Sequence, residues 1–239
     1  MEKILSEQIS NKMIIVPFAG GSSQSFLYWQ DELKDIANLK ILDYAGHGVR
    51  LGEKVASDFG ELVEDLVNQI KKYATDSTIL FGYSLGGLAC AYAAEECYTK
   101  YNIKFKGVIL SSCLSPKKLG EVKHVVMTDE QINEYLISER NIPLDILKTK
   151  EFKKFLFPVI KNDFKIIHDY KFKHLILPPC PIHCIYAEQD YDIDMEAMSG
   201  WQEFSQSPIE WHSICGNHFY FEEYPAETFA LIRDILALL

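Results

Sequence analysis

The stretch from Thr78 to Glu96 constrains the fold more than any other part of the chain. A short apolar run (Ile79, Leu80, Phe81) reads as a buried strand, and Gly82-Tyr83-Ser84-Leu85-Gly86 ends it. A helix of small residues follows through Leu88, Ala89, Cys90, Ala91, Ala93 and Ala94. Strand, G-x-S-x-G and helix in that order are the context of a nucleophile elbow. A serine at so sharp a turn adopts a strained backbone, and glycines two residues to either side let strand and helix approach closely. Its hydroxyl then stands above the sheet at the positive end of a helix, where developing negative charge is stabilised. A glycine-rich turn whose serine only caps the helix would share these letters. With strand and helix both in place, Ser84 is the expected nucleophile.

The 239 residues suit one α/β domain with an insertion, or two small domains, and a hydrophobic content of 48% is ample for a core. No run of about eighteen apolar residues is present, so no membrane span is expected. The first residues, MEKILSEQISNK, lack the apolar segment of a secretory signal. Six scattered cysteines in such a chain predict reduced, buried thiols and a cytoplasmic protein rather than a disulfide framework. Cys180-Pro-Ile-His-Cys184 is a poor zinc spacing, so no metal site is expected. A net charge of −10 argues against nucleic-acid binding. That charge is uneven, because twelve basic residues stand against nine acidic ones between Lys117 and Lys173. Such an excess is usually a solvated helix face. It could also form a mildly basic rim that receives an acidic partner.

Strands are predicted over Lys12 to Pro17, Leu39 to Asp43, Ile79 to Phe81, Phe105 to Ser111, Ile182 to Ala187 and Ile209 to Ile214. Helices are predicted over Gln24 to Ile36, Val55 to Ala74 and Pro225 to Leu238. This alternation implies a doubly wound, mostly parallel sheet. It lapses between Ser115 and Lys173, where helical patches (Ile132 to Arg140, Glu151 to Val159, Lys161 to Tyr170) are punctuated by Pro143 and Pro158. Thr128-Asp129-Glu130-Gln131 is a helix start of the capping type. The expected division is core over 1–114, helical lid over 115–174 and core again over 175–239. The apolar residues of the insertion serve either a satellite core or a lid offering an acyl pocket, and the two are compatible.

A serine nucleophile needs an imidazole base, and the base needs an orienting carboxylate. In an elbow-type hydrolase these follow in the order serine, acid, histidine, on loops at the carboxyl ends of strands. His212 falls inside a strand and His218 just past one, so His218 is the base. His47, between glycines upstream of the nucleophile, is read as structural. Asp190 comes first on the loop after its strand, with Asp192 and Asp194 close enough to compete. The loop Phe18-Ala19-Gly20-Gly21 lacks the spacing of a nucleotide-phosphate site. Its place after an early strand instead suits an oxyanion hole, with the N–H of Ala19 beside that of Leu85, or Phe18 if the register is one residue off.

These segments together resemble a type II thioesterase of the kind that accompanies nonribosomal peptide and polyketide synthases, a branch of the α/β-hydrolase superfamily. The resemblance is carried by Pro17-Phe18-Ala19-Gly20-Gly21-Ser22 with Trp29, Gly46-x-Gly48-x-Arg50 and Phe81 to Gly87. Further along it is carried by Phe157-Pro158 with Asp163 and Tyr170, by Asp190, by Trp201 and by Gly216-Asn217-His218-Phe219. It runs from about Met13 to Leu238. Departures are Ala45 and His47 where Pro and Arg are usual, Tyr83 and Leu85 where His and Met are common, and Ala187-Glu188 in place of a glycine ending. They leave the triad intact and bear on substrate preference. The resemblance implies hydrolysis of acyl or aminoacyl groups from the phosphopantetheine arm of carrier-protein domains. It implies no metal or diffusible cofactor, and the enzyme is expected to be a monomer. The same residues would serve a medium-chain fatty-acyl carrier-protein thioesterase, a general carboxylesterase, or a hydrolase-fold binding protein that has lost turnover.

Overall fold

In the computed structural model, which describes residues 11–121, 127–140, 142–190 and 192–239, strand alternation divides the core in two. The first ten residues and Lys123 of the basic stretch lie outside the described residues. Successive side chains of a strand point to opposite faces. Along β1 (Asn11–Val16), Ile14 and Val16 therefore enter one apolar cluster while Met13 and Ile15 enter the other. The remaining strands are β2 (Ala37–Ile41), β3 (Thr78–Tyr83), β4 (Gly107–Ser111), β5 (Ile182–Ala187) and β6 (Glu210–Ile214). They form one sheet in the order β2-β1-β3-β4-β5-β6, and each neighbouring pair is parallel. Both faces of β3 and β4 are covered, which is why these strands read as unbroken apolar runs rather than as alternation.

Among the described residues ten α-helices accompany the sheet: α1 (Trp29–Leu33), α2 (Phe59–Tyr73), α3 (Leu85–Tyr101), α4 (Pro116–Glu121), α5 (Asp129–Ser138), α6 (Leu144–Leu147), α7 (Phe157–His168), α8 (Met195–Ser199), α9 (Tyr220–Glu223) and α10 (Pro225–Leu238). The apolar stripe of α2 packs with α3 on one face, and α1 lies with α10 on the other. The helix predicted over Gln24 to Ile36 is divided into a 3₁₀ turn, Ser23–Phe26, and the short α1. Phe26 and Trp29 are fully buried three residues apart while Leu27 between them is exposed. That spacing suits a tighter turn than the α-helix. The α2 helix starts four residues later than predicted, because the Asp58 side chain accepts the Glu61 N–H at 3.0 Å and fixes the N-terminus there.

Between β4 and β5 the chain is helical. Thr128 and Gln131 complete the reciprocal capping of α5. Pro158 does not break the helix around it: a π-helical stretch, Phe152–Leu156, runs directly into α7, with proline in its first turn. Its ring cannot donate to the turn before it, and the widened π turn is the irregularity that accompanies that missing bond. Ile132, Leu136, Leu147, Phe152 and Ile160 form a small satellite core under these helices. All six cysteines are free thiols, and Cys215 is exposed, contrary to the expectation of burial, because it lies in the loop beyond β6. Among the described residues no helix is long and apolar enough to cross a membrane.

The edge of the sheet carries a pH-sensitive contact. His183 of β5 and His212 of β6 stack with ring centroids 5.3 Å apart, and Nδ1 of the first lies 3.0 Å from Nε2 of the second. Burial, then the neighbouring imidazole, holds His183 down to about 4. Burial lowers His212 as well. Both groups are easier to protonate in the unfolded chain. Their contribution is therefore complete above about pH 6.5 and is lost as pH falls from there towards about 4. Thermal melts across that window should show a falling Tm, and His183→Gln should flatten the slope. An unchanged slope would remove the pair as its cause.

Candidate active site

Ser84 sits between β3 and α3 with φ 54° and ψ −120°, a conformation that costs a side-chain-bearing residue about 1–3 kcal/mol. The sheet holds it there, because its N–H donates to the Ser111 carbonyl of β4 at 2.9 Å. Two other loops at the same end of the sheet meet it. The His218 ring, beyond β6, places Nε2 3.2 Å from the Ser84 Oγ and Nδ1 2.6 Å from Oδ2 of Asp190, beyond β5. Asp190 is buried, and its other oxygen accepts the Ile193 N–H at 3.1 Å. With Nδ1–H donating to this carboxylate, Nε2 is left with its lone pair towards the serine hydroxyl. Asp192 lines the neighbouring cavity, and Asp194 is occupied in capping α8, where it accepts the Ala197 N–H at 2.8 Å. Neither is the acid that touches the imidazole.

The histidine loop is fastened on several sides. The Gln189 N–H donates to the Gly216 carbonyl at 2.9 Å, and the Gln189 amide oxygen accepts the Gly216 N–H. Asn217 accepts the Phe219 N–H at 2.8 Å, and its amide donates to Glu223 at 2.6 Å. From within the elbow, the Tyr83 hydroxyl donates to the His218 carbonyl at 2.5 Å. Burial pushes this phenol well above its ordinary range, which keeps it a donor. The position that carries Tyr83 was singled out in the sequence only as a departure; its link to residue 218 had no sequence signal.

On the other side of Ser84 the loop after β1 brings up its amides. Gly20 N–H donates to Oδ2 of Asp163 on α7 at 2.7 Å, and Gly21 N–H to the Phe18 carbonyl at 2.9 Å. Those two donors are therefore taken, which leaves Ala19 and Phe18 as the candidates from this loop. Opposite it, Leu85 opens the 17-residue α3 with its N–H at the positive helix end. His47 is buried against Asp163, with Nε2 2.9 Å from the oxygen that Gly20 also uses.

A cavity of about 1300 Å³ lies over Ser84, His218 and Asp190. Leu88, Leu114, Ile132, Phe164 and Ile167 give it an apolar wall, while Gln131, Glu134, Asn162 and Lys118 place polar groups along it. The α5 and α7 helices form its roof. At the end of α5 the Arg140 guanidinium stands 4.4 Å from the Phe18 ring centre and 4.1 Å from that of Phe219. It also pairs with Glu222 at 2.8 Å. This cation clamps the roof between the oxyanion-side loop and the histidine loop, and no motif announced it. A shaped, mostly apolar chamber above a hydrogen-bonded serine, imidazole and carboxylate is equipped for acyl transfer. Among the described residues no cluster of three or more potential metal ligands occurs.

A family model described as "Thioesterase domain" matches residues 11–239. The Vibrio anguillarum protein described as "Probable anguibactin biosynthesis thioesterase AngT" is 24% identical over 228 residues, covering 93% of this chain and 90% of its own length. The medium-chain S-acyl fatty acid synthase thioesterase of Rattus norvegicus is 24% identical over 247 residues, covering 99% and 92%. Among solved structures, the type II thioesterase BorB from the borrelidin biosynthetic cluster superposes with a TM-score of 0.82 at 21% identity, covering 95% of this chain and 92% of that one. The shared architecture is the α/β-hydrolase fold.

Proposed function

Because this chain belongs to the thioesterase domain family, we propose that it removes acyl or aminoacyl groups from the phosphopantetheine arm of carrier-protein domains in a nonribosomal peptide or polyketide synthase. The observation that carries the reading is the continuous contact from Asp190 through His218 to Ser84 at the base of the cavity. His218 takes the hydroxyl proton as Ser84 attacks the thioester carbonyl. The oxyanion is held by backbone N–H groups of Leu85 and Ala19. The imidazolium, steadied by Asp190, then protonates the departing pantetheine thiol. In the second half the same ring activates water against the acyl-serine and returns the proton to Ser84. No diffusible cofactor enters these steps.

The carrier domain is the proposed partner. Lys117 and Lys118 of α4 and Lys153 and Lys154 of the π-helical stretch before α7 are exposed, and Lys118 also reaches the cavity wall. Opposite charge at such a rim accelerates encounter more than it strengthens the final complex. Reversing Lys117, Lys153 and Lys154, which lie outside the cavity wall, to glutamate should lower kcat/KM for an acyl-carrier substrate about tenfold and weaken its salt dependence. Hydrolysis of a small acyl-pantetheine thioester should be unaffected. Equal loss on both substrates would show damage to the chamber rather than to docking. Equal identity to the rat enzyme supports a second reading, a medium-chain fatty-acyl substrate. Comparing acetyl-, octanoyl- and aminoacyl-carrier proteins separates the two. A fluorophosphonate probe that failed to label Ser84 would instead favour a binding protein without turnover.

A further inference from the structure

His47 has two ring nitrogens and both face acceptors. Nδ1 lies 3.2 Å from the Ala45 carbonyl and Nε2 2.9 Å from Oδ2 of Asp163. A neutral imidazole carries one N–H, so in either tautomer it would turn a lone pair towards one of these oxygens. The arrangement is complete only when the pair holds one more proton than a neutral ring and a carboxylate together. His47 and Asp163 are 5% and 1% exposed, so bulk solvent does not reach them to make up the deficit.

The same carboxylate oxygen receives the Gly20 N–H, one residue beyond Ala19. Gly20 has φ +71°, and a Cβ there would lie 2.9 Å from Ile160 of α7, so loop and helix are in close contact as well as hydrogen-bonded. Asn162 of α7 ties the helix again, donating to the Ala56 carbonyl at 2.9 Å. Thus α7 is anchored at both Gly20 and Ala56, and it fixes how the loop after β1 presents its amides.

We propose that His47, as an imidazolium between Ala45 and Asp163, is a positioning residue for the oxyanion loop, and that its deprotonation slackens the loop and slows acylation of Ser84. This rests on the serine mechanism above, not on the identity of the acyl carrier. The charged and titratable groups around His47 agree with it. On α7 there is Asp163, and on its own loop Asp43 and Tyr44. Asp43 is already engaged by the Ser23 N–H at 2.5 Å, the Ser23 hydroxyl at 2.8 Å and the Val49 N–H at 3.0 Å. Burial drives Tyr44 well above its ordinary range, so that phenol stays neutral. Arg50 sends its guanidinium to Asp65, Glu53 and the Asp43 carbonyl, not to His47. Burial opposes charge on His47, yet the Asp163 carboxylate together with the Ala45 carbonyl and Asp43 outweighs it, and the ring is left more basic than an ordinary histidine. A raised folded value means that the contribution is whole below the unfolded value and is lost as pH rises through the folded one.

The test is the pH dependence of Ser84 labelling by a fluorophosphonate, together with hydrolysis of acetyl-pantetheine corrected for the uncatalysed rate, from about pH 6 to about pH 10. Wild type, His47→Arg and His47→Gln are compared. Wild type should lose rate on the alkaline side. His47→Arg, which keeps the charge and its donors, should not. His47→Gln should be about 10- to 100-fold slower than wild type at neutral pH, in kcat rather than KM, and the gap should close on the alkaline side. NMR of wild-type protein carrying ¹³C-labelled histidine covers the case of a variant that does not fold. The His47 signal should be that of a protonated ring at neutral pH and should titrate together with the alkaline loss. A ring already neutral at pH 7, or the same alkaline profile in wild type and His47→Arg, overturns the proposal. Absence of Ser84 labelling at all pH values would instead overturn the serine mechanism on which it stands.

Discussion

His218→Ala should lower kcat/KM for an acyl thioester by roughly 10⁴- to 10⁶-fold while leaving the melting temperature nearly unchanged. The ring reaches both partners, at 3.2 Å from Ser84 Oγ and 2.6 Å from Asp190, so its removal takes away the base and isolates the acid. What survives is the oxyanion site and the chamber, which act on charge and orientation without proton transfer. Ser84→Ala should be as severe, and the double variant no worse than either single one, because the three groups act as a unit. Asp190→Asn should fall short of them: an amide can still touch Nδ1 but favours the wrong tautomer and does not stabilise the imidazolium. Steady-state kinetics with circular dichroism checks the set. A double variant clearly slower than each single variant would mean that the groups act separately.

Gly86→Ala carries the largest expected effect on stability. A methyl group at this position in the first turn of α3 would fall on the carbonyl oxygens of Val16 and Pro17, which are backbone atoms of β1 and its exit loop. No side chain can rotate away to relieve the contact. Either α3 lifts from the sheet or the loop carrying Ala19 moves, and both disturb the surroundings of Ser84. A cost of about 3 kcal/mol or more follows, equivalent to a Tm lower by roughly 6–12 °C for a domain of this size. Differential scanning calorimetry reads it directly. A variant as stable and as active as wild type would mean that the helix start is looser than this close approach requires.

The two glycines of the elbow explain why so much was legible in the sequence. Gly82 and Gly86 are required by backbone-to-backbone approach, and that requirement is written in five consecutive letters. From Ser84 the histidine followed by chain order alone, since His212 alternates inside β6 while His218 lies beyond it. Asp190 stood apart from Asp192 and Asp194 less clearly, because the three are two residues apart on one loop and only contact with Nδ1 distinguishes them. The strands at β5 and the helix at α10 were read to the residue, where a continuous apolar run or a proline start marks the ends. The segment around Phe26 and Trp29 was not, because tertiary burial selected a tight turn over helical periodicity.

What stayed hidden were contacts between distant segments. His47 and Asp163 are 116 residues apart, and neither residue alone signals the other. Asp163 sits on an otherwise amphipathic helix, where an acidic residue is expected to face water; only the buried oxygen shared with Gly20 shows that it does not. Arg140 likewise reads as a helix-terminal cation until the rings of Phe18 and Phe219 appear on either side of it. The Tyr83 hydroxyl reaches a carbonyl 135 residues away. Each of these secures a loop that bears a reacting group, so the architecture that holds the site still is less visible than the groups themselves.

Intact-mass monitoring of acetyl-, longer acyl- and aminoacyl-carrier proteins, incubated with wild type or with Ser84→Ala, addresses the chemistry and the substrate together. The account predicts that wild type returns at least one of these carriers to its free-thiol mass, with a transient acyl adduct on the enzyme at Ser84, while Ser84→Ala leaves every carrier loaded. Carriers that stay acylated with wild type, or that are cleared equally fast by Ser84→Ala, would contradict it.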